Sequence, residues 1–596
     1  MSKGIGLCLS GGGFRASFYH IGILAQMAEK GLLRKVEVIS TVSGGSILGV
    51  AYYILLKRLL ESKADADIVD QDYIDLVVEL EESFRKGVSE NIRMRTFLNP
   101  IANMRMALPN FSRSDQIGRL YTEYLYLPIY NKGRSPDQQV KSINMTDLHI
   151  SPKNNQNFHP FKGEHTNQHR ENKVPVLVVN STSLNSGHDW VFTGSGMGEI
   201  PPRNDIFYDI DKKDRYSYSR YEDITTRDTK GFSVGSAVAA SAGVPGLFPP
   251  MAVSKLYKDR TVQLVDGGVF DNQGIAGALW ILEENISCDY FVVSDASGQG
   301  DATNNPETGT VPVLTAMAGI LTSRVREEMV NSLVKQGSEH VELSHLTRGL
   351  FANRILINEE GEESDKEEAE KHGVVDSKQA FDVTQKNQLL FSQIRTDLDA
   401  FSEYEIYGLE RDAYQMSAVG LLKLKQNMDS QSQSTTNENS HNWAFNCLEG
   451  RLGKNDAALE KQISIGRNKF FKTFRQNFIL ALLVHIPLIV FFVVVYFGVV
   501  YSLDTFMPGW WQKVLTFNVE DALALLIPIV GIYLLSMIAD RLLGADVGKE
   551  IEYARMPYKG VNVLVMNVVL PMLISIPVWI FLKTVNPLFL RLGRVE

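Results

Sequence analysis

The N-terminal residues alternate between short apolar runs and longer stretches whose apolar side chains recur at helical spacing. The runs "GIGLCLS" (4–10) and "KVEVIST" (35–41) are typical of buried parallel strands. Residues 15–33 and 44–62 have the periodicity of buried helices. Together they predict a right-handed α/β unit with a largely parallel sheet. The runs 174–182 and 289–297 predict further strands.

The C-terminal part is dominated by three long apolar stretches, at about 478–503, 522–541 and 560–582. A helix needs about 20 apolar residues to cross a bilayer. The sequence therefore predicts a transmembrane region over 476–596, which would make the chain an integral membrane protein.

The distribution of basic residues predicts how the chain is oriented in the membrane. Five Lys and Arg residues lie between 461 and 475, and four lie between 540 and 559, which places both segments on the cytoplasmic side. Three full spans would put the C-terminus outside, yet Lys583, Arg591 and Arg594 lie there. The third segment contains Pro571 and Pro577. The alternative that it is re-entrant or monotopic is therefore left open.

The chain between these two regions varies in composition. We expect an α/β domain over 1–310, with a polar surface insertion around 139–173. A helical extension should follow over 311–425, with an acidic solvated segment at 358–373. Residues 426–440 have the composition of a disordered linker, and 441–475 form a basic juxtamembrane segment.

Composition excludes several classes of protein. The 596 residues are too many for one ordinary domain, and the net charge of -9 without a basic stripe excludes a nucleic-acid partner. Three cysteines without a CxxC motif argue against disulfides or zinc and favour a reducing compartment. Histidines are dispersed, so we expect no metal. No apolar leader precedes Gly4, and we therefore expect the N-terminal part to stay in the cytoplasm, in a bacterial inner-membrane protein.

A glycine-rich loop, "SGGGFRA" (10–16), follows the first predicted strand. Gly11, Gly13 and Ala16 satisfy the dinucleotide fingerprint G-x-G-x-x-G/A by letters. A dinucleotide site also needs an acid at the end of the second strand, and that strand runs instead into "VSGGS", with Glu37 in its middle. The loop is therefore not interpreted as a nucleotide site, and no cofactor is expected.

The second strand leads directly into a serine and two glycines. Thr41-Val42-Ser43-Gly44-Gly45 has the layout of a nucleophile elbow, with Thr41 in place of the usual first glycine. The alternative is that Ser43 only caps the following helix. Gly11, Gly12 and Gly13 on the neighbouring loop can supply backbone donors for an oxyanion.

A serine nucleophile requires a base, and no histidine lies in a motif-like setting. The stretch "LVDGGVFDN" (264–272) places Asp266 at the end of a strand-like run, before two glycines. Asp266 is the candidate base; the alternative is an ordinary Asp-Gly turn.

Four stretches in this order resemble the patatin-like phospholipase family: "SGGGFRA", "STVSGGSILG", "AVAASAGVPGLFPP" (237–250) and "VDGGVFDN". The resemblance covers roughly residues 4–300 and implies a three-layer α/β/α fold. It implies a Ser43–Asp266 dyad without histidine, an oxyanion hole at Gly11 to Gly13, and no metal. Arg15 is expected either to steady the glycine loop or to bind a lipid phosphate.

The expected function is that of a membrane-anchored lipid acyl hydrolase, of phospholipase A or lysophospholipase type, whose substrate is membrane phospholipid. One alternative is the same activity used as a triggered, membrane-degrading antiphage effector. Another is a catalytically inactive patatin-like scaffold. A homo-oligomer or a regulatory partner is compatible with the sequence, which identifies neither.

Overall fold

The computed structural model describes residues 4–106, 111–155, 158, 167–201, 215–224, 231–283, 288–297, 306–337, 341–347, 383–429, 441–454, 456–506 and 570–595. These residues divide into two compact units. One lies within Met1–Thr96, Phe111–Phe478 and Asn586–Glu596, and the other within Phe97–Asn110 and Ile479–Val585.

A ten-stranded sheet forms the centre of the first unit. Its strands are β1 (Gly4–Leu9), β2 (Val36–Val42), β3 (Val176–Ser183), β4 (Asp189–Phe192), β5 (Gly196–Glu199), β6 (Ser219–Arg220), β7 (Met251–Tyr257), β8 (Arg260–Asp266), β9 (Cys288–Asp295) and β10 (Val341–His345).

The strand order places the catalytic candidates at one edge of the sheet. The order is β10-β9-β1-β2-β3-β4-β5-β6, and β8 pairs with both β3 and β7. Neighbours from β10 to β3 are parallel, whereas the pairs beyond β3 are antiparallel. Parallel strands end at the same edge of a sheet, so the loops after β1, β2 and β9 meet there.

The described helices lie between and after these strands. They are α1 (Gly13–Glu29), α2 (Gly44–Ser62), α3 (Asp70–Ser89), α4 (Ile92–Arg95), α5 (Pro100–Met106), α6 (Arg113–Tyr121), α7 (Leu127–Tyr130), α8 (Val234–Ser241), α9 (Ile275–Glu283), α10 (Thr310–Gly337), α11 (Gln385–Ser392), α12 (Glu403–Met428), α13 (Ala457–Ile465), α14 (Lys472–Gln476), α15 (Phe478–Phe506) and α16 (Leu570–Leu592).

Helices cover both faces of the sheet. Alternate residues of a strand point to opposite faces, and β1 shows this directly. Leu7 and Leu9 belong to the larger apolar cluster, which includes buried residues of α1 and α2. Cys8 belongs to a second cluster, with Leu279 of α9 and Leu333 of α10. The expected α/β/α layering and mostly parallel sheet are confirmed.

The predicted elements around the glycine loop are also confirmed. The four strand-like runs are β1, β2, β3 and β9, and the two helical stretches are α1 and α2. The sheet continues beyond the predicted boundary at 310, because β10 pairs with β9 in parallel. The described part of the 139–173 insertion consists of short 3-10 turns and loops. The acidic segment 358–373 lies outside the described residues, as does 430–440 of the linker.

The predicted membrane spans fall partly within the described residues. Residues 478–503 lie in α15, residues 522–541 lie outside the described part, and 560–582 are described from Leu570 onward in α16. Across the described residues, we find no helix with the length and apolar character that crossing a membrane requires. The spans stay a prediction.

A buried ion-pair cluster organises the chain after the sheet. The Arg395 guanidinium is fully buried and donates to the Asp399 carboxylate at 2.8 Å and to the Glu405 carboxylate. Lys472 binds the other Asp399 oxygen at 2.7 Å. Burial alone would lower the pKa of Arg395, but these two carboxylates raise it above its usual range. The cluster, which we call the Arg395 cluster, joins the segment after α11 to the start of α14.

Replacing Arg395 by Met should destabilise the protein by about 3–5 kcal/mol, because two buried carboxylates would lose their main partner. Thermal unfolding of the purified full chain measures this. The matched control is Lys386→Met, which removes an exposed pair with Glu460 and should cost about 1 kcal/mol or less. Equal shifts for the two variants would contradict a structural role for the Arg395 cluster.

Candidate active site

Ser43 lies at the turn between β2 and α2 and has an unusual backbone conformation. Its φ is 51° and its ψ is -115°, a region that residues with a side chain rarely adopt. The Ser43 N–H donates to the Ser241 hydroxyl at 2.9 Å. The Ser43 side chain makes no capping hydrogen bond to the helix, so the helix-cap interpretation is wrong. The turn has the geometry of a nucleophile elbow.

Thr41 fits the first position of the elbow because the residue that faces it on α2 is a glycine, Gly49. A Cβ added at Gly49 would lie 2.6 Å from the Thr41 methyl carbon. The Thr41 hydroxyl donates to the Val178 carbonyl at 3.0 Å and accepts from the Ser46 hydroxyl at 2.9 Å. The departure from the G-x-S-x-G pattern is therefore accommodated without loss of the turn.

The elbow and the glycine loop touch through their backbones. A Cβ at Gly44 would lie 2.1 Å from the Gly13 carbonyl oxygen, and one at Gly45 would lie 2.2 Å from the Leu9 carbonyl oxygen. The Gly45 N–H donates to the Ser10 carbonyl at 3.1 Å. No residue larger than glycine fits at these two elbow positions without movement of the loop.

The three loop glycines differ in what their amides bind. The Gly11 N–H donates to the Asn272 carbonyl at 3.0 Å and is already used. Within the described residues, the N–H groups of Gly12 and Gly13 have no acceptor. Both glycines have positive φ angles, 143° and 57°, which only glycine adopts readily. A Cβ at Gly11 would lie 3.1 Å from the Ser43 Cβ, so the loop adjoins the serine.

Asp266 ends β8, and its carboxylate lies near the Ser43 side chain. Its Oδ1 accepts the Gly268 N–H at 2.8 Å, and the Ser43 side chain lies close enough to lower its pKa. The turn and dyad interpretations are therefore both compatible with its contacts. Burial raises the pKa of Asp266 to about 6, although the Gly268 N–H and the Ser43 side chain lower it. At neutral pH the carboxylate is ionised and can accept a proton.

Arg15 points into the protein and binds backbone carbonyls. Its guanidinium donates to the carbonyls of Ala296 at 2.8 Å, Ile394 at 3.0 Å and Ser392 at 3.1 Å. Burial lowers the pKa of Arg15 to about 10. A residue that is only 5% exposed and bound in this way supports the loop. The geometry does not favour binding to a lipid phosphate.

His20, on α1, supports the base of the glycine loop. One ring nitrogen lies 2.9 Å from the Ser10 carbonyl and the other lies 2.6 Å from the Ser294 hydroxyl. Burial lowers the pKa of His20 to about 4, which keeps the ring neutral. Neither of these two hydrogen bonds involves Ser43.

Several residues that support the site were not singled out from the sequence. Ser241 and Asn272 lie within two of the stretches that resemble the family. The sequence therefore pointed to these stretches but not to the two individual residues. The segment 392–400, which we call the strap, had no such signal. The Phe14 N–H donates to the Asp397 carbonyl at 3.3 Å, and a Cβ at Gly13 would lie 3.1 Å from the Asp397 nitrogen.

The N-terminal part of the chain is similar to a known family. Residues 7–279 match the family model for patatin-like phospholipase. The match covers fewer than half of the 596 residues of the chain, and this part is similar to that family. No curated protein matches the chain.

Solved structures are similar at low identity. Human GIVD cytosolic phospholipase A2, in complex with methyl gamma-linolenyl fluorophosphonate and terbium chloride, is 13% identical, with a TM-score of 0.34 over 72% of this chain and 60% of that one. VipD from Legionella pneumophila is 14% identical, with a TM-score of 0.23 over 80% of this chain and 86% of that one. This chain thus spans about 60% of the human enzyme's length. Scores this low do not support conclusions about function.

Replacing Gly44 by Ala should lower kcat for an ester substrate by about 100-fold, because the new Cβ would push the glycine loop away from Ser43. Steady-state kinetics with a soluble ester measures this. Gly194→Ala is the control, since its Cβ would meet the Met145 carbonyl oxygen at an ordinary 3.6 Å. Full activity in Gly44→Ala would show that the backbone contact is not needed.

The fall of kcat/KM at acidic pH should follow the protonation of Asp266. A protonated carboxyl group cannot accept the serine proton, so kcat/KM should fall about tenfold per pH unit below pH about 6. Hydrolysis of a soluble ester between pH 4.5 and 8 measures this. A profile that is flat through pH 6 and falls only near pH 4 would contradict the raised pKa.

Proposed function

We propose that this chain is a membrane-anchored serine hydrolase that cleaves fatty-acyl esters of membrane phospholipids, of phospholipase A or lysophospholipase type. The observation that carries the proposal is the strained Ser43, which lies near a buried Asp266 and adjoins two unused glycine amides. This arrangement supplies a nucleophile, a base and oxyanion donors.

The proposed reaction proceeds by acyl transfer. Asp266 accepts the Ser43 hydroxyl proton while the serine oxygen attacks the ester carbonyl carbon. The carbonyl oxygen becomes the oxyanion of a tetrahedral intermediate, which collapses as the lysolipid or glycerol-phosphate alcohol takes the proton and leaves. Water then attacks the acyl carbonyl carbon while Asp266 accepts a proton from it. The bond to the Ser43 oxygen breaks as that oxygen takes the proton from Asp266, which releases the fatty acid and restores the serine.

The oxyanion donors are proposed to be the amides of Gly12 and Gly13. Gly11 was included in the expected set, but its N–H is bonded to the Asn272 carbonyl. We assign Gly11 instead to close packing against Ser43. The N-terminus of α2 adds a favourable dipole near the developing charge.

Membrane anchoring is supported by the surface of α15. Eleven of its large apolar side chains, from Phe478 to Val494, are exposed by 41–71%. Exposed apolar surface of this extent marks an interface with lipid or protein. The preceding segment supplies the basic residues typical of a cytoplasmic flank. This supports a cytoplasmic position for the first unit, which carries Ser43 and Asp266 and is called the catalytic unit below.

The C-terminal residues bear on the number of membrane crossings. Asn586 accepts a hydrogen bond from the Asn91 side chain at 2.8 Å, and the Gly593 carbonyl accepts the Glu403 N–H at 3.0 Å. Both contacts lie within the catalytic unit. A chain that leaves and rejoins this unit crosses the bilayer an even number of times, so we propose that one of the three apolar segments does not fully span. The third, which contains Pro571 and Pro577, is the candidate.

Ser43→Ala and Asp266→Asn should each reduce phospholipid and soluble-ester turnover at least about 10⁴-fold. A fluorophosphonate probe should label wild type but not Ser43→Ala. Labelling that is unchanged in Ser43→Ala, or that is absent from wild type in lipid, would contradict the proposed nucleophile and favour the inactive scaffold.

Unfolding temperatures show whether Asp266→Asn is inactive because it lacks the base or because it is misfolded. The folded-state pKa of Asp266 lies above its usual 3.8, so its contribution to stability is full below pH 3.8 and lost as the pH rises through about 6. At pH 8 the Asn variant should therefore be more stable than wild type by about 1–3 kcal/mol. An inactive variant that is also less stable at pH 8 would point to misfolding.

A further inference from the structure

The N-terminal half of α10 is apolar, uncharged and exposed. Residues 308–323, "TGTVPVLTAMAGILTS", contain no Asp, Glu, Lys or Arg. Five of their large apolar side chains are 48–68% exposed: Val313, Leu314, Met317, Ile320 and Leu321. We call these five residues the α10 stripe, because their spacing places them on one side of the helix.

The two halves of α10 are packed differently. In the C-terminal half Leu333 is 1% exposed and, with Met329 and Val330, contacts the second apolar cluster of the sheet. In the N-terminal half nearly every described side chain from 306 to 324 is exposed. The N-terminal half, which we call the projection, thus has apolar side chains that are about half or more exposed.

The projection lies on the catalytic side of the sheet. β9 and β10 are parallel, so the connecting α10 begins at the edge where these strands end. Arg326 lies 3.0 Å from the ring of His345, the last residue of β10. Residues 310–324 therefore extend beyond that edge by up to about 20 Å. Ser43 follows β2, which ends at the same edge.

The chemistry of the projection favours a lipid surface over a protein partner. A helix that pairs with another helix usually has charged residues beside its apolar stripe, and none is present between 308 and 323. The opposite side carries small residues such as Ala318 and Thr322. The uncharged stretch ends at exposed Arg324, and arginine at such a boundary can bind lipid headgroups. About 14 uncharged helical residues are too few to span a bilayer.

We propose that the N-terminal half of α10 lies in the membrane interface, with the α10 stripe buried among lipid acyl chains, and brings the catalytic edge to the substrate. This inference rests on the proposed lipid hydrolysis. Interfacial helices bury their apolar face about 5–10 Å into the headgroup and acyl boundary, and the α10 stripe has the exposed apolar side chains that such burial requires. The projection then has a role in addition to that of the proposed C-terminal anchor. The anchor keeps the chain at the membrane, and the projection orients the active site toward the membrane.

The first test measures lipid contact directly, without using activity. The full chain with Ser43→Ala, Cys447→Ser and Ile320→Cys carries an environment-sensitive fluorophore at position 320 and is reconstituted in phosphatidylglycerol–phosphatidylcholine vesicles. Glu328→Cys, on the packed half of α10, is the matched label position, and the parent without a new cysteine gives the background. We expect a blue shift at 320 and quenching by acyl-chain spin labels, with neither effect at 328.

Two results of this test overturn the proposal. One is a label at 320 that reports water in the vesicles. The other is a blue shift at 320 without quenching by spin-labelled acyl chains, which would assign the stripe to a second copy or another protein.

The second test compares substrates. Ile320→Asp should lower turnover of vesicle phospholipid about tenfold or more and leave turnover of a soluble short-chain ester unchanged. Thr322→Asp, which adds the same charge on the opposite side, is the matched control and should have little effect. Equal losses on both substrates, or equal effects of the two variants, overturn the proposal. If wild type hydrolyses neither substrate, the proposed function fails, and the fluorescence test alone decides whether the stripe contacts lipid.

Discussion

The contact between the backbones of Gly13 and Gly44 is the constraint on which the site depends. It joins the loop that carries the unused amides to the turn that carries Ser43, at a distance that excludes any side chain. The strained Ser43 conformation is tolerated because α2, Ser241 and the loop fix the residues around it. A site built in this way has its donors placed before the substrate arrives, so little reorganisation accompanies the reaction.

The same close packing determines the properties of the base. Asp266 is surrounded by protein, and the loss of solvation disfavours its charge more than the Gly268 N–H and the Ser43 side chain favour it. The result is a carboxylate that is more basic than one in water but still ionised at neutral pH. A dyad without histidine needs such a group, because an ordinary carboxylate would be a weak base toward a serine hydroxyl.

The sequence predicted the parts of the fold whose signal is local. β1, β2, α1 and α2 are buried and have clear periodicity, and Ser43 and Asp266 lie in motifs where a turn type demands particular residues. The role of Arg15 could not be chosen from sequence, since burial decides between its two expected roles. β10 was not predicted, because "VELSH" lacks the apolar run of the other parallel strands. The strap was also missed: it binds α1 through the carbonyls of Ser392, Ile394 and Asp397, which any residue type supplies.

The strap changes what counts as the catalytic domain. The family model ends at residue 279, yet Arg15 and Phe14 bind carbonyls more than a hundred residues beyond that point. The strap is in turn fixed by the Arg395 cluster, in which Lys472 binds the Asp399 carboxylate and the Ala400 carbonyl. Lys472 lies six residues before α15, the helix with the exposed apolar surface. A continuous set of buried polar contacts therefore connects the residues that precede α15 to the loop that carries Gly12 and Gly13.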